Sequence, residues 1–483
     1  MEKVADHLKA ISSSFQTIGR IPALAAGVVV NGELVATFGN GADEHTLFRI
    51  ASMTKSFTAA AVLSLRDTGR LRLDDSADLH APEFVGLNGP TTDAAKITVR
   101  HLLTMSSGMS TDDPWADRHL DMTDDELDEA IATGPTFARA TGGARQYSNL
   151  GYAVLGRVVR NVTGLTVQQL INEQFLTPLG MTETFWNVSD APVALNVAIG
   201  MRADGITPEP APTDGVMAPM GGLWSTVQDL AKWVGFFTDA YPARNGSDVG
   251  PLCRASRREM QSVQTIELPQ VIVANDGASW QYFGGYGMGM FTEFDAELGH
   301  QCGHSGGVPG YGSNMRWITG SEPGSAVDSP TLAGSRIGVI ALANVTYAPM
   351  IHLTRRVLQS MRTNGLARAV AKQAPEILTR AAENLFGVLD LLAPLSPKSV
   401  ATEDVPGLEL FADNVLLDRP LSEQVEAVAK LWSTNGPIRF ARCECSTEAD
   451  GTLVVANAVR EFRIEFSLSV TPPGTIQAYK LPV

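Results

Sequence analysis

The sequence predicts an α+β protein built on an antiparallel sheet that is flanked by helices. Strand-like runs of β-branched and apolar residues occur at both ends of the first 362 residues, over 23–38 and 312–344. Between these runs most apolar residues follow helical spacing, and short alternating strands return only after residue 438. Strands at both ends of a segment with helices between them are typical of a sheet covered by helices.

The N-terminal elements follow from apolar spacing and turn residues. Apolar residues at helical spacing over 4–18 predict an amphipathic first helix. Residues 23–38 are predicted to form a β-hairpin, because they contain an Asn-Gly dipeptide that suits a tight turn. A short strand over 47–51 leads into a helix over 54–67, which is rich in Ala and Leu and contains neither Gly nor Pro.

Similar patterns predict the rest of this region. Thr98 is a predicted cap for a helix over 97–105, and Ser225 or Thr226 for a helix over 227–237. The other predicted elements are helices over 150–162, 167–175 and 349–362 and strands over 286–291, 312–318 and 337–344.

Three regions divide the chain. Residues 1–362 form the predicted main domain, 363–400 a helical linker and 401–483 a small C-terminal accessory domain. The linker assignment depends on one amphipathic helix followed by Pro394 and Pro397. The last region is predicted to be α+β or β-rich, with a helix over 421–431 and strands over 438–444, 453–456, 462–470 and 476–480.

The charge balance excludes several classes of partner. The chain has 37 Lys and Arg residues against 52 Asp and Glu, a net charge of −15. Nucleic acid and anionic membrane surfaces require a basic face, so neither is an expected partner. The expected partner is a small-molecule or peptide substrate, and the oligomeric state is left open.

No segment of the sequence predicts a membrane span or an export signal. The longest apolar run, 21–30, is about half of the ~20 residues that a spanning helix needs. The first residues lack a basic region followed by an apolar one, so we expect a cytoplasmic protein unless a leader was removed. The four cysteines are too few for a disulfide framework and lack zinc-type spacing, so we expect reduced thiols.

Ser52 and Lys55 form a Ser-x-x-Lys pattern where the strand over 47–51 gives way to a helix. Residues three apart lie on the same face of a helix, so the Lys55 amine is expected beside the Ser52 hydroxyl. A hydroxyl beside a possible base, at a helix start with outward-pointing N–H groups, suits acyl transfer. Four residues are a short pattern, so other motifs must support it.

Tyr147-Ser148-Asn149 lies 95 positions after Ser52. A phenol can act as an acid or a base if a neighbouring cation lowers its pKa, and Lys55 is the expected neighbour. A half-buried tyrosine that caps a helix is the structural alternative.

A glycine-rich segment begins at His304, 252 positions after Ser52. Its glycines allow a substrate to approach the backbone, and free N–H groups there can complete an oxyanion hole. A glycine-rich hairpin is the structural alternative. The pattern His300-x-Cys302-x-His304 also suggests metal ligands on one face of a strand, but no fourth ligand is nearby, so we expect no metal.

The acidic stretch 106–129 contains nine Asp and Glu residues, with Trp115 among them. A solvated loop and helix face is the usual structure of such a run. A lid over a cleft is the alternative.

Taken together, Ser-x-x-Lys, Tyr-x-Asn and His-x-Gly in this order resemble the motifs of the penicillin-recognising serine hydrolases. This family of β-lactamase-like and penicillin-binding proteins includes class C β-lactamases, D-Ala-D-Ala carboxypeptidases, D-aminopeptidases and related esterases. Segments 98–108 and 221–226 also look familial, and the resemblance covers roughly residues 1–360. It implies a β-lactamase/transpeptidase-like fold with an all-helical subdomain, and no cofactor.

The resemblance also implies roles for individual residues. Ser52 would be the nucleophile that forms an acyl-enzyme, Lys55 its proton acceptor, and Tyr147 the acid for the leaving group and later the activator of water. The N–H groups of Ser52 and Gly307 would form the oxyanion hole. The residues implied to bind substrate are Asn149, Ser305 and Gly306.

The resemblance also implies that His304 is a catalytic residue, since it stands where these families carry the lysine of the third motif. Histidine is mostly neutral at pH 7, so we expect weaker dependence on a substrate carboxylate and poor β-lactam turnover. The expected substrates are peptides, amides or esters that contain D-amino acids, with a substrate amine attracted by the acidic stretch 112–129. A carboxylesterase, a transacylase or peptide cyclase, and a non-catalytic sensor of peptidoglycan-like ligands are the alternatives.

Overall fold

The structure is a computed structural model that describes residues 2–84, 87, 89–248, 250–273, 279–295, 298–319, 336–364, 374, 376–402, 405–412, 414–445, 449–469 and 475–482. The described residues form two compact units, one of 2–319 with 336–364 and the other of 374–482. No helix within these ranges is both long and apolar enough to cross a bilayer.

The first unit is built on an antiparallel sheet, to which nine of the described strands belong, in the order β2-β1-β11-β10-β9-β8-β7-β5 with β6 also paired to β7. A separate two-stranded sheet joins β3 to β4. The strands of this unit are β1 (Leu24–Val30), β2 (Glu33–Asn40), β3 (Phe48–Arg49), β4 (Trp224–Ser225), β5 (Thr265–Ile266), β6 (Gln270–Val273), β7 (Ser279–Tyr286), β8 (Phe291–Asp295), β9 (Gly299–Val308), β10 (Tyr311–Ile318) and β11 (Ile337–Ala343).

Helices cover both faces of this sheet. Successive side chains of a strand point to opposite faces, and Val28 accordingly packs in the layer with α1 and α12 whereas Val29 packs in the larger helical layer. The helices of this unit are α1 (Glu2–Ile18), α2 (Thr54–Asp67), α3 (Ala77–His80), α4 (Val99–Leu103), α5 (Asp113–Ala116), α6 (Asp124–Thr133), α7 (Asn149–Thr163), α8 (Val167–Ile171), α9 (Ala218–Gly221), α10 (Val227–Thr238), α11 (Arg254–Met260) and α12 (Met350–Thr363). The predicted α+β class is confirmed.

The second unit is a four-stranded antiparallel sheet with its own helices. Its elements are α13 (Glu376–Leu392), α14 (Asn414–Asp418), α15 (Leu421–Asn435), β12 (Arg439–Cys445), β13 (Asp450–Ala456), β14 (Glu461–Leu468) and β15 (Ile476–Lys480). Leu378 and Leu385 of α13 are buried in one core with Leu453 and Ile464 of the sheet. The helix predicted within a 363–400 linker is therefore a core element, because its apolar stripe covers this sheet.

One predicted strand, 286–291, is wrong. β7 ends at Tyr286 and β8 begins at Phe291, so the residues between them form the turn of a hairpin. Gly289 adopts φ +75°, a left-handed conformation that suits a turn and not a strand, and the Gly287 N–H donates to the Met290 carbonyl. The sequence suggested a strand because Met288 and Met290 alternate with glycines, as apolar residues alternate in a strand.

Candidate active site

Ser52 lies in a tight turn that connects β3 to α2. The turn spans Ala51–Met53, and Ala51 adopts the left-handed region with φ +50°, which few alanines do. The carbonyl of Ile50 accepts a hydrogen bond from Ser313 Oγ at 2.8 Å, which ties the turn to β10. Ser52 is 8% exposed and faces a cavity of about 870 Å³. The turn therefore presents its hydroxyl at the floor of a substrate-sized space.

Lys55 is fully buried one turn further along and donates to three acceptors. Its Nζ is 2.9 Å from Ser52 Oγ, 2.6 Å from Asn149 Oδ1 and 2.7 Å from the Met220 carbonyl. Burial lowers the pKa of Lys55 to about 8, although nearby carboxylates, Asp113 first, oppose the shift. A lysine with such a pKa can accept a proton near neutral pH, so the predicted pairing with Ser52 has the chemistry of a nucleophile and its base.

Tyr147 borders the same cavity as Ser52. Lys55 Nζ is 4.9 Å from the centre of its ring. We expected Lys55 to lower the pKa of Tyr147, and this is wrong: burial of the hydroxyl raises the pKa well above its usual value, and the Asp113 carboxylate adds to the effect. Tyr147 is thus a neutral phenol that can donate a proton.

His304 lies on β9, 2% exposed, with both ring nitrogens engaged. Nδ1 is 2.5 Å from the Ser305 carbonyl oxygen, which can only accept, so Nδ1 carries the proton. Nε2 then accepts from the Tyr286 hydroxyl at 3.0 Å. Burial lowers the pKa of His304 to about 3, with Lys55 contributing. The ring is therefore neutral, as predicted, and its centre lies 6.2 Å from that of Tyr147.

The three residues after His304 also line the cavity, at Ser305, Gly306 and Gly307. A Cβ on Gly306 would overlap the Ile50 carbonyl oxygen and Ser313 Oγ. A Cβ on Gly307 would lie 2.7 Å from a ring carbon of Tyr347. Gly306 needs glycine because β9 runs directly against the nucleophile turn, whereas Gly307 leaves room for the Tyr347 ring.

Replacing Gly306 with alanine is expected to lower the free energy of unfolding by about 1–3 kcal/mol, because backbone atoms of the nucleophile turn must move. Urea unfolding of the purified variant measures this loss. Gly387→Ala is the matched control: an added Cβ there meets nothing within 4 Å, in the middle of α13. Equal stability of the Gly306→Ala variant and the unmodified protein would contradict the close approach.

Asn149 was predicted to bind substrate, but its side chain does not reach the cavity. It is fully buried and does not line the cavity, and both ends of its amide are occupied. Oδ1 accepts from Lys55, and Nδ2 donates to Asp113 Oδ1 at 2.7 Å. The contacts make Asn149 a partner of the lysine, which corrects the substrate-binding prediction.

The first three acids of the segment, Asp112, Asp113 and Asp117, pack at or beside the site, whereas four of the later acids are exposed, as expected of a solvated helix face. Asp112 accepts from the main-chain N–H groups of Asn149 and Leu150 at 2.7 and 2.8 Å and so caps α7. Asp113 and Asp117 line the cavity. Burial raises the pKa of Asp117 to about 7, against the opposing hydrogen bond from Tyr347.

Tyr347 is a cavity residue that the sequence reasoning missed. Its hydroxyl donates to Asp117 Oδ2 at 2.8 Å, and its side chain lies over Gly307. The residue is 48% exposed and adopts the left-handed region with φ +54°. Tyr347 belongs to none of the sequence motifs. Its partner Asp117 was indicated only as one member of the acidic stretch.

The remaining walls of the cavity combine charged, aromatic and apolar side chains. Arg145 pairs with Glu267 and lies over the ring of Phe291, while Ile266 and Leu268 expose apolar side chains at the rim. Among the described residues, no group of three or more His, Cys, Asp or Glu could hold a metal ion. His300 was one of the three residues considered as metal ligands, and its Nε2 lies 2.6 Å from Thr292 Oγ1.

Comparison with known proteins relates the whole first unit to one family. The model of the family described as Beta-lactamase matches residues 7–360. Protein flp of Staphylococcus aureus (strain MW2) is 31% identical over 238 residues, which is 45% of this chain and 46% of that protein. Penicillin-binding protein 4 of Amycolatopsis lactamdurans is 26% identical over 322 residues, 64% of this chain and 80% of that protein. The match thus spans about half the length of the first curated relative.

Two solved structures show the same fold. The octameric penicillin-binding protein homologue from Pyrococcus abyssi has a TM-score of 0.58 at 19% identity and covers 98% of this chain and 99% of its own. A class C β-lactamase has a TM-score of 0.56 at 17% identity and covers 74% of this chain and 96% of its own. Both likenesses concern the fold, and the family model covers nearly all of the first unit. The chain therefore belongs to the Beta-lactamase family.

Proposed function

We propose that this protein is a serine hydrolase that acts on peptide, amide or ester substrates through an acyl-enzyme on Ser52. The observation that carries the proposal is the 2.9 Å contact between Ser52 Oγ and the buried Lys55 Nζ at the floor of a large cavity. Family membership supports the same chemistry. A non-catalytic sensor has no need for a nucleophile with a buried base, so that alternative is disfavoured.

In the acylation step, neutral Lys55 takes the Ser52 proton as Oγ bonds to the substrate carbonyl carbon. The bond to the leaving group then breaks, and the departing nitrogen or oxygen takes the phenolic proton of Tyr147, which Lys55 restores. The raised pKa of Tyr147 suits this role, because the phenol stays protonated until the leaving group needs a proton. In deacylation, water attacks the ester, its proton enters the Lys55–Tyr147 pair, and Ser52 regains its own.

The oxyanion that forms on the substrate carbonyl needs donors, and the N–H groups of Ser52 and Gly307 are our candidates. β8 pairs with β9 only as far as Gly303, so β8 does not cover the edge of β9 beyond that point. Ser305 and Gly306 are candidate substrate contacts on the same strand. His304 is a neutral wall group in this scheme, since its ring nitrogens are both engaged.

The substrate class follows from the walls. Asp113 and Asp117 offer carboxylates to a substrate amine, whereas neutral His304 supplies no charge for a carboxylate. These features favour substrates with a free amine, and D-aminoacyl amides and peptides are our first candidates. A carboxylesterase and a transacylase or peptide cyclase use the same acyl-enzyme and differ only in the leaving group or in the acceptor.

A substrate screen tests this assignment. We expect release of p-nitroaniline from D-alanine p-nitroanilide at a higher kcat/KM than from the L-enantiomer, and slow or no opening of nitrocefin. Turnover of p-nitrophenyl acetate without any amide turnover would favour the carboxylesterase. A condensed product that forms only when an amine is added would favour the transacylase.

A further inference from the structure

A chain of hydrogen bonds runs from the cavity wall to the nucleophile. Asn149 Nδ2 donates to Asp113 Oδ1 at 2.7 Å, and Asn149 Oδ1 accepts from Lys55 Nζ at 2.6 Å. Lys55 Nζ in turn donates to Ser52 Oγ at 2.9 Å. Asn149 and Lys55 are fully buried, so their partners in this chain are protein groups and not bulk water.

The two ends of this chain determine how the Asn149 amide is oriented. A carboxylate only accepts hydrogen bonds and an ammonium only donates them. The NH2 group must therefore face Asp113, and the oxygen must face Lys55. Rotating the amide by about 180° would direct its N–H groups at the ammonium and its oxygen at the carboxylate, and would replace two attractive contacts with two repulsive ones.

We propose that Asp113 is a positioning residue of this active site: it fixes the orientation of the Asn149 amide and thereby keeps Lys55 aligned on Ser52. The proposal rests on the proposed function, because it assigns Asp113 a task in activating Ser52. Asp113 acts through Asn149 and has no need to touch the reacting atoms.

Other groups around Lys55 have different tasks. Asp112 caps the main chain of α7, and Asp117 accepts from Tyr347. The rings of Tyr147 and Tyr152 lie 4.9 and 5.5 Å from Lys55 Nζ, and His304 is held neutral by burial. Among the hydrogen bonds of the described residues, neither Asp112 nor Asp117 reaches the Asn149 side chain, so the orientation of this amide depends on Asp113.

The charge of Asp113 also raises the pKa of Lys55, and this effect distinguishes a positioning role from a purely structural one. Of the nearby charges, Asp113 acts most strongly to raise the pKa of Lys55. Removing the charge therefore lowers that pKa. Because the neutral amine accepts the Ser52 proton, the pH at which activity rises moves to lower values.

The test is the rate at which a fluorophosphonate labels Ser52, measured from pH 5 to 10, since this probe requires no knowledge of the substrate. Asp113→Ala removes both the acceptor and the charge, and we expect labelling to slow by about tenfold to a hundredfold above pH 8. Asp113→Asn removes the charge and keeps an acceptor, so we expect a smaller loss with the rise in rate shifted to lower pH. The matched control is Asp125→Asn, because Asp125 is an exposed acid of the same segment. This substitution should change neither the labelling rate nor the pH at which the rate rises.

A double-mutant cycle isolates the contact. In an Asn149→Ala background, Asp113→Ala should slow labelling little further, because the amide that Asp113 orients is gone. Equal losses in both backgrounds, or an Asp113→Ala variant that labels at the unmodified rate and pH, would overturn the proposal. Failure of the unmodified protein to label on Ser52 would instead overturn the proposed function, so the two failures are distinguishable.

Discussion

Alanine in place of Ser52 is expected to abolish covalent labelling by a fluorophosphonate and to lower turnover by about 10⁴-fold or more. The Ser52 hydroxyl accepts from Lys55 and lines the same cavity as Tyr147, and loss of Oγ leaves no atom to carry the acyl group. The fold should survive, because one hydrogen bond of this kind contributes about 1 kcal/mol net. Mass spectrometry of the labelled protein and a thermal unfolding curve measure both outcomes.

Ser56 is the matched control, four residues after Ser52 in the first turn of α2. It is fully buried, its hydroxyl donates to the Met53 carbonyl and accepts from Trp233 Nε1, and it does not line the cavity. Ser56→Ala should therefore reduce stability while labelling continues. Labelling that persists in the Ser52→Ala variant would assign the nucleophile to another residue.

Replacing Lys55 is expected to lower kcat/KM by about 10²–10⁴-fold, the range typical of a general base. The pH profile gives the sharper signature. Burial lowers the pKa of Lys55 to about 8, so the amine is largely protonated at pH 6 and neutral at pH 9. If neutral Lys55 takes the Ser52 proton, labelling should speed up as pH rises through about 8 and then level off.

Lys55→Arg distinguishes proton transfer from charge alone. A guanidinium keeps the positive charge but stays protonated at every accessible pH. The arginine variant should therefore label slowly throughout and lose the rise near pH 8, whereas Lys55→Ala should lose the same rise without retaining a cation. A profile for the unmodified protein that is flat between pH 6 and 10 would contradict Lys55 as the base.

Local patterns predicted most of the scaffold. The helix over 54–67 was predicted with the observed bounds, because its composition favours a helix and Gly69 follows it in the left-handed conformation. The Asn-Gly turn of the first hairpin also formed as predicted, with φ +54° at Asn31 and +89° at Gly32. Three motifs far apart in the sequence, at Ser52, Tyr147 and His304, lie around one cavity.

The rest of the site depends on contacts between distant segments. The sequence around Asp113 does not show that Asp113 faces Asn149. The acidic stretch was predicted to be solvated because charged residues usually lie at the surface. The pKa of Tyr147 was predicted in the wrong direction, because a sequence shows the expected cation but not the burial of the phenol. Tyr347 lies 295 positions from Ser52, and its packing over Gly307 has no sequence signature.

The absence of space between Gly306 and the nucleophile turn has a consequence for evolution and engineering. Because β9 and the turn touch backbone to backbone, the floor of the site tolerates little sequence change. The walls are less constrained: Ile266 and Leu268 are largely exposed, and Tyr347 is half exposed. New substrate ranges are therefore most accessible through substitutions at the rim, while the floor keeps the chemistry constant.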